Sequence, residues 1–155
     1  MGFIAAQKNG ETLEPLIKNS GFWPDIDMAD AHLALRLDGT VTEPRLRVAL
    51  IAAMASANQD LRKFKAKHLA DGIQNLAEVE SETLDCQSVL VSHYIRAVYC
   101  LAKANLTERY LDFDSTGDGH NKADQLLDPI EDLRRDARWA IRDLLGSNRA
   151  SVELI

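Results

Sequence analysis

Between Thr42 and Gly72, apolar side chains return at steps of three and four: Leu46, Leu50, Ala53, Ala57, Leu61, Phe64 and His68. That spacing places them on one face of a helix about six turns long. Thr42 is suited to the N-cap, Pro44 falls in the first turn where a missing N–H does no harm, and Gly72 supplies the stop. A second stretch, from about Cys86 to Leu111 with Asp85 as its cap, is apolar on almost every side. Leu90, Val91, Tyr94, Ile95, Val98, Leu101 and Leu106 leave Ser92, Arg96 and Lys103 as a narrow polar strip. A helix of that kind is expected at the centre, covered by its neighbours.

A further helix is predicted from about Lys122 to Leu145, with Leu126, Ile130, Leu133, Ala137, Ile141 and Leu144 as its stripe and Gly146 as its stop. Pro129 lies inside that pattern and predicts a kink or break at Asp128. Upstream, "FWPDID" sets an aromatic pair against Pro24, and Asp25 or Asp27 can cap a short helix through "MADAHLALRL" that Gly39 ends. Ala31, Leu35 and Leu37 give this helix a modest apolar stripe.

The two ends follow neither period. Residues 1–21 carry Gly2, Gly10, Pro15 and Gly21 and are read as an arm rather than part of the core. In the closing "NRASVELI", Ala150, Val152 and Leu154 alternate with Ser151 and Glu153, the pattern of a strand, with no evident strand elsewhere to pair it. The chain is therefore expected to be all-α. It divides into an N-terminal arm (1–21), a helical domain (22–146) built as a bundle of about four helices around a central buried one, and a strand-like tail (147–155).

Composition narrows the function. With 155 residues the chain suits one domain, and 46% apolar with 27% charged residues is ordinary for a soluble protein. A net charge of −6, from 24 acidic and 18 basic side chains, argues against tight nucleic-acid binding by the isolated chain. The N-terminus lacks a signal-peptide core, position 6 is Ala6 where a myristoylation signal wants Ser or Thr, and no apolar run suffices to span a membrane. A soluble chain made in a cytoplasm is expected. Cys86 and Cys100, if both on one helix, lie about 21 Å apart and stay reduced. The four histidines and two cysteines have no metal-ligand spacing.

Three polar stretches invite a chemical reading. "DFDSTGDGHNKAD" (112–124) begins like a calcium loop, with Asp114, Thr116, Asp118 and Gly119 at positions 1, 3, 5 and 6. Position 8 is then Asn121 and position 12 is Gln125, where a bidentate Glu should complete the shell. The stretch reads better as a helix–helix loop, and a calcium-binding helical module stays as an alternative. "RKFKAK" (62–67) sets four cations about Phe64; with Phe64 on the apolar stripe, the cations read as a solvated face rather than phosphate contacts.

In "EDLRRDARWAIRD", Arg134, Arg135, Arg138 and Arg142 stand beside Trp139, interleaved with Glu131, Asp132 and Asp136. This is either an exposed helix laced with i,i+3 and i,i+4 pairs or a subunit interface rich in Arg and Trp. The acids cancel most of the positive field, which disfavours DNA and leaves a small DNA-binding regulator as a second alternative. No nucleophile elbow, P-loop, zinc-protease or dinucleotide motif occurs, so neither an enzyme nor a cofactor is expected.

Several stretches taken in order resemble one family, the head-completion (GpL-type) proteins of temperate contractile-tailed phages. They are "FWPDID", "DGTVTEPRLRVALIAAM", "YIRAVYCLAKANLTERYLDFD", "NKAD", "IEDLRRDARWAIR" and "NRASVELI", spanning about residues 22 to 155. The departures are the first 20 residues, "TGDG" in the loop and Pro129. The resemblance implies a non-catalytic virion protein, made in the host cytoplasm, that joins the filled head at the portal vertex. It would keep the packaged double-stranded DNA in and prepare the vertex for a tail-side neck or terminator protein. Adaptors there are typically helical and form a closed ring of about twelve neighbouring copies under the portal protein. On this view the Arg149–Ile155 strand (Arg149, Ala150, Ser151, Val152, Glu153, Leu154, Ile155) adds to a sheet edge on the portal or on a neighbouring copy.

Overall fold

The computed structural model describes residues 14–37, 39–113 and 117–147, and in 110–113 and 117–128 the backbone alone. The elements in order are β1 (Leu16–Ile17), β2 (Ile26–Asp27), α1 (Met28–Ala34), α2 (Glu43–Asp60) and α3 (Arg62–Ala70). A 3-10 turn (Leu76–Glu78), β3 (Thr83–Leu84), β4 (Gln87–Ser88), α4 (Val89–Phe113) and α5 (Gly117–Leu144) follow. The fold is mostly helical, as expected, but it carries two small antiparallel ribbons that the all-α expectation left out. In β1–β2, Leu16 faces Asp27 and Ile17 faces Ile26; in β3–β4, Thr83 faces Ser88 and Leu84 faces Gln87. α4 packs against both α2 and α5.

α2 starts as its sequence dictates. Thr42 is extended (φ −77°, ψ 154°), Pro44 sits in the first turn, and the Leu46 N–H reaches the Thr42 carbonyl at 3.0 Å, although the Thr42 side chain makes no capping bond. Leu46, Leu50, Ala53, Ala57 and Leu61 are buried, with Phe64 and His68 half-buried. The single six-turn helix is instead two, divided at Leu61 (φ −95°, ψ 7°). Helical bonds flank the bend, from Leu61 N–H to Ala57 and from Lys65 N–H to Leu61, both 3.0 Å. The bend carries Phe64 to the Trp23 ring, 6.4 Å between centroids.

Both glycine stops hold, and for one reason. Gly72 (φ +86°) donates to Leu69 and Ile73 donates to His68, at 3.1 and 2.9 Å; Gly146 (φ +68°) donates to Asp143 and Ser147 to Arg142, at 3.1 and 3.0 Å. Each pair is a Schellman closure, which needs a left-handed residue after the last turn. α1 ends the same way but not at Gly39. It stops at Ala34, with Arg36 (φ 50°) as the left-handed residue, donating to Leu33 at 3.2 Å while Leu37 donates to His32 at 3.4 Å.

The expected cap at Asp85 is a correction. Asp85 (φ 48°) and Cys86 (φ 59°) are the two central residues of the β3–β4 hairpin, both left-handed as a type I′ turn requires. Cys86 is therefore exposed in a turn and α4 begins at Val89. α5 also departs from expectation. It begins at Gly117 rather than Lys122, and where a kink or break was expected at Asp128 the helix is unbroken through Pro129. Pro129 cannot donate to the carbonyl four residues back, so the helix forgoes one backbone bond there. Ile130, Ala137, Ala140 and Leu144 are buried and Leu133 and Ile141 half-buried, so the stripe faces the body as its spacing requires.

Part of the expected arm belongs to the fold. Ile17 lies in the core at 3% exposure, and the loop between β1 and β2 is wired to two helices. Asn19 Nδ2 donates to the Tyr94 hydroxyl (2.8 Å) and the Pro24 carbonyl (2.9 Å); Tyr94 donates to Asn58 Oδ1 (2.6 Å); Asn58 Nδ2 returns to Asn19 Oδ1 (2.9 Å). The ring of bonds joins this loop to α2 and α4, and each amide is satisfied at both ends. "FWPDID" is thereby accounted for: Phe22 and Trp23 enter the core, Pro24 accepts from Asn19, and Ile26 pairs in the ribbon. Asp25 accepts the Asn19 N–H at 2.7 Å and the Lys18 ammonium at 3.0 Å, which together hold its carboxyl below the ordinary value. Asp27, not Asp25, caps α1, accepting from Ala29 (2.7 Å) and Asp30 (3.1 Å).

Candidate interaction surface

Because the apolar stripe of α5 turns inward, its arginines occupy the rim and the outer side. Arg135, Arg138, Trp139 and Arg142 fall within an arc of roughly 100° at 3.6 residues per turn. Arg138 and Arg142 are exposed, and Trp139 is half-buried. The Arg135 guanidinium lies 4.8 Å above the Trp139 ring centroid and is paired with Asp132 at 2.7 Å and Asp136 at 3.7 Å.

Arg134 has another task. It sits at the edge that faces α4, where its Nη2 donates to both carboxylate oxygens of Glu108, at 2.8 and 2.7 Å, with Glu131 a further 3.4 Å contact. The Glu108 bond and charge hold the Arg134 proton more firmly than usual. The structure thus keeps four of the five named side chains on one outward face and assigns the fifth to the α4–α5 tie. Glu108 escaped the sequence reading because its partner is 26 residues away and no local spacing announces the pair.

"DFDSTGDGHNKAD" is helical from Gly117 onward, whereas a calcium loop begun at Asp114 needs a non-helical wrap at that point. Its loop reading is corrected to that extent; Asp114 to Thr116 lie outside the described residues. Among the described residues, no three His, Cys, Asp or Glu side chains are grouped to hold a metal, and no helix is long and apolar enough to cross a membrane. The tail, Arg149 to Ile155, and residues 1–13 also lie outside the described residues.

An open cleft formed by the end of α1, β4, α4 and α5 brings Gln87, Ser92, Arg96, Tyr99 and Lys103 around an apolar floor of Leu35, Ile95 and Leu133. Cys100 lines it too, but burial and the nearby Asp136 push its thiol pKa up, away from the reactive thiolate. A second cleft lies beside the Asn19 network, between Phe22, Pro24, Leu76 and Val91.

Residues 17–155 match the family described as phage head completion protein (GPL). The chain belongs to that family. The match opens at Ile17, a core residue of β1. The chain is 39% identical over 142 residues to the "Head completion/stabilization protein" of Escherichia phage P2, covering 92% of this chain and 84% of that protein. It is 26% identical over 150 residues to the "Probable head completion/stabilization protein" of Haemophilus phage HP1 (strain HP1c1), covering 95% of this chain and 99% of that one. No solved structure matches. The family is one of structural proteins of the phage virion.

Proposed function

We propose that this protein completes the DNA-filled head by seating as a ring of copies on the portal vertex. There it keeps the packaged double-stranded DNA in and offers the surface on which a tail-side neck or terminator protein docks. The observation that carries this is kinship with the phage P2 head completion/stabilization protein over 92% of the chain. The outward face of α5 supports it. A cyclic ring uses heterologous contacts, one face of each copy against a different face of the next. Arg135, Arg138, Trp139 and Arg142 form an Arg- and Trp-rich face of the kind that anchors interfaces. A ring of about twelve copies multiplies weak contacts into strong attachment.

The strand-like tail, Arg149 to Ile155, serves as an added strand. The β3–β4 ribbon, with Thr83 and Leu84 exposed, is an acceptor edge that a neighbouring copy presents. Assembly takes place in the host cytoplasm and the protein remains in the virion. The test is nuclease sensitivity of filled heads made without this protein, before and after adding the purified chain. Saturable protection establishes the reading, and the saturation point counts copies per vertex. Heads that neither bind the chain nor gain protection end it.

A further inference from the structure

We infer that the exposed arc of α3 is a non-specific contact for the phosphate backbone of duplex DNA. α3 carries Arg62, Lys63, Lys65 and Lys67 within nine residues and no acid of its own, although Asp60 and Asp71 bracket it. In a chain of net charge −6 this is a local reversal of sign. The sequence alone leaves these cations as a solvated face; the structure adds two observations. First, Phe64 packs on the core and stacks toward Trp23, which fixes the helix and fans the cations outward on either side of it. Arg62, Lys63 and Lys67 are exposed and Lys65 half-buried, and no residue of α3 is buried. Second, none of the four makes an ion pair among the described residues, whereas Arg134 and Arg135 on α5 are each paired with acids. The α3 charges are therefore available to an outside polyanion, and those two on α5 are largely spent within the chain.

Duplex DNA suits this arc better than an acidic protein surface does. Three of the four cations are lysines, which are depleted in protein–protein interfaces, and the arc lacks the aromatic anchor such interfaces use. Lysines spread around a helix suit point contacts with phosphates, which need charge rather than shape. Three or four phosphate contacts release enough counterions to weaken binding about 40- to 150-fold between 50 and 200 mM salt. One copy binds weakly, and a ring of copies around a duplex sums the contacts. The inference rests on the proposed function only for which duplex is met, the packaged genome.

The experiment is an NMR titration of the full chain with two 20-base-pair duplexes of unrelated sequence, at low and raised salt, repeated with the Lys63→Glu/Lys67→Glu variant. Expected are amide shifts confined to Arg62–Ala70, equal for both duplexes, with a salt slope that falls by about two units in the variant. Both substituted side chains are exposed, so the variant's free spectrum should otherwise match the parent's. No shifts at low salt, shifts centred elsewhere, or a preference for one duplex overturns the inference. So does a variant that no longer binds heads emptied of DNA, since the arc then meets protein. Failure of the parent chain to protect filled heads, by contrast, strikes the proposed function and leaves the α3 titration to be judged on its own result.

Discussion

Trp23 lies flat against Tyr94, ring centroids 5.0 Å apart and planes 6° from parallel, and the Tyr94 hydroxyl beyond that stack closes the bond ring with Asn19 and Asn58. One side chain of α4 thus holds the N-terminal loop by its face and α2 by its tip. Removing the hydroxyl alone, in Tyr94→Phe, leaves Asn19 Nδ2 and Asn58 Oδ1 each short of a partner with the stack intact. The expected loss is about 1–3 kcal/mol in urea denaturation. A loss within error would mean that water replaces the hydroxyl freely and that the network does not anchor the loop.

The same residue sets an alkaline limit. Burial pushes the Tyr94 pKa up from 10.0 to about 12, with the Asn19 hydrogen bond acting weakly the other way. Between those values the unfolded chain binds fewer protons at this site than the folded one, so stability is full below pH 10 and falls as pH rises toward 12. The slope from this group alone is about 1.4 kcal/mol per pH unit. Tyr99 and Cys100 are raised as well and add in the same direction, so the difference between the parent chain and Tyr94→Phe isolates the contribution. Urea midpoints taken from pH 9 upward should converge for the two proteins as the pH climbs; parallel curves would contradict a buried neutral Tyr94.

What could be read ahead of the fold was whatever local backbone physics decides. Leu46 to Leu61 repeat at helical spacing because a helix has one inner face, and Gly72 and Gly146 end helices because the closing bonds demand a left-handed residue. The misses are of two kinds. Some depend on partners far along the chain: Asn19 with Tyr94, 75 residues apart, and Ile17, whose burial comes from pairing across a turn with Ile26. Others use residues that carry no local signal, as at Leu61, where a helix bends without Gly or Pro. Arg36 and the Asp85–Cys86 turn likewise adopt positive φ without a glycine to announce it. For the candidate surface, helical spacing puts Arg135, Arg138 and Arg142 on one face of a helix, but it could not see that Glu108 claims Arg134.

Those unannounced positions are themselves testable. Left-handed backbone costs a non-glycine residue roughly 1–2 kcal/mol, part of which returns as extra freedom of the unfolded chain when glycine is introduced. Cys86→Gly makes Asp-Gly, the favoured pair for this turn, and Arg36→Gly relieves α1's closure. Each is expected to gain about 0.5–1 kcal/mol. Thermal melts would show a rise of a few degrees for each, and the two should add because the sites share no partner. A fall in melting temperature for Arg36→Gly would show that its side chain contributes more than its backbone costs.

The Arg134–Glu108 pair separates structure from recognition. Both side chains are partly open to water, 38% and 49% exposed, so the pair is worth about 0.5–1 kcal/mol despite its two-oxygen geometry. A double-mutant cycle of Arg134→Ala and Glu108→Ala should return a coupling of that size, shrinking in 0.5 M salt. Coupling near zero at low salt would remove the tie between the two helices.

If the outer face of α5 is what the vertex meets, its exposed Arg138 and Arg142 matter more than the tied Arg134. Arg138→Glu with Arg142→Glu reverses two exposed charges on a helix whose buried stripe is untouched, so folding should be unaffected. In the proposed ring, attachment to filled heads would be the product of many copies, and a tenfold weakening per contact would compound around it. This variant is expected to fail to protect packaged DNA from nuclease at concentrations where the parent chain saturates, while Arg134→Ala still protects. Protection lost equally in both would mean that the α4–α5 hairpin's stability, and not its outer face, governs attachment. Protection kept in both would move the contact off α5 and onto another surface, with the C-terminal tail and the polar-walled cleft of Arg96 and Lys103 the next places to test.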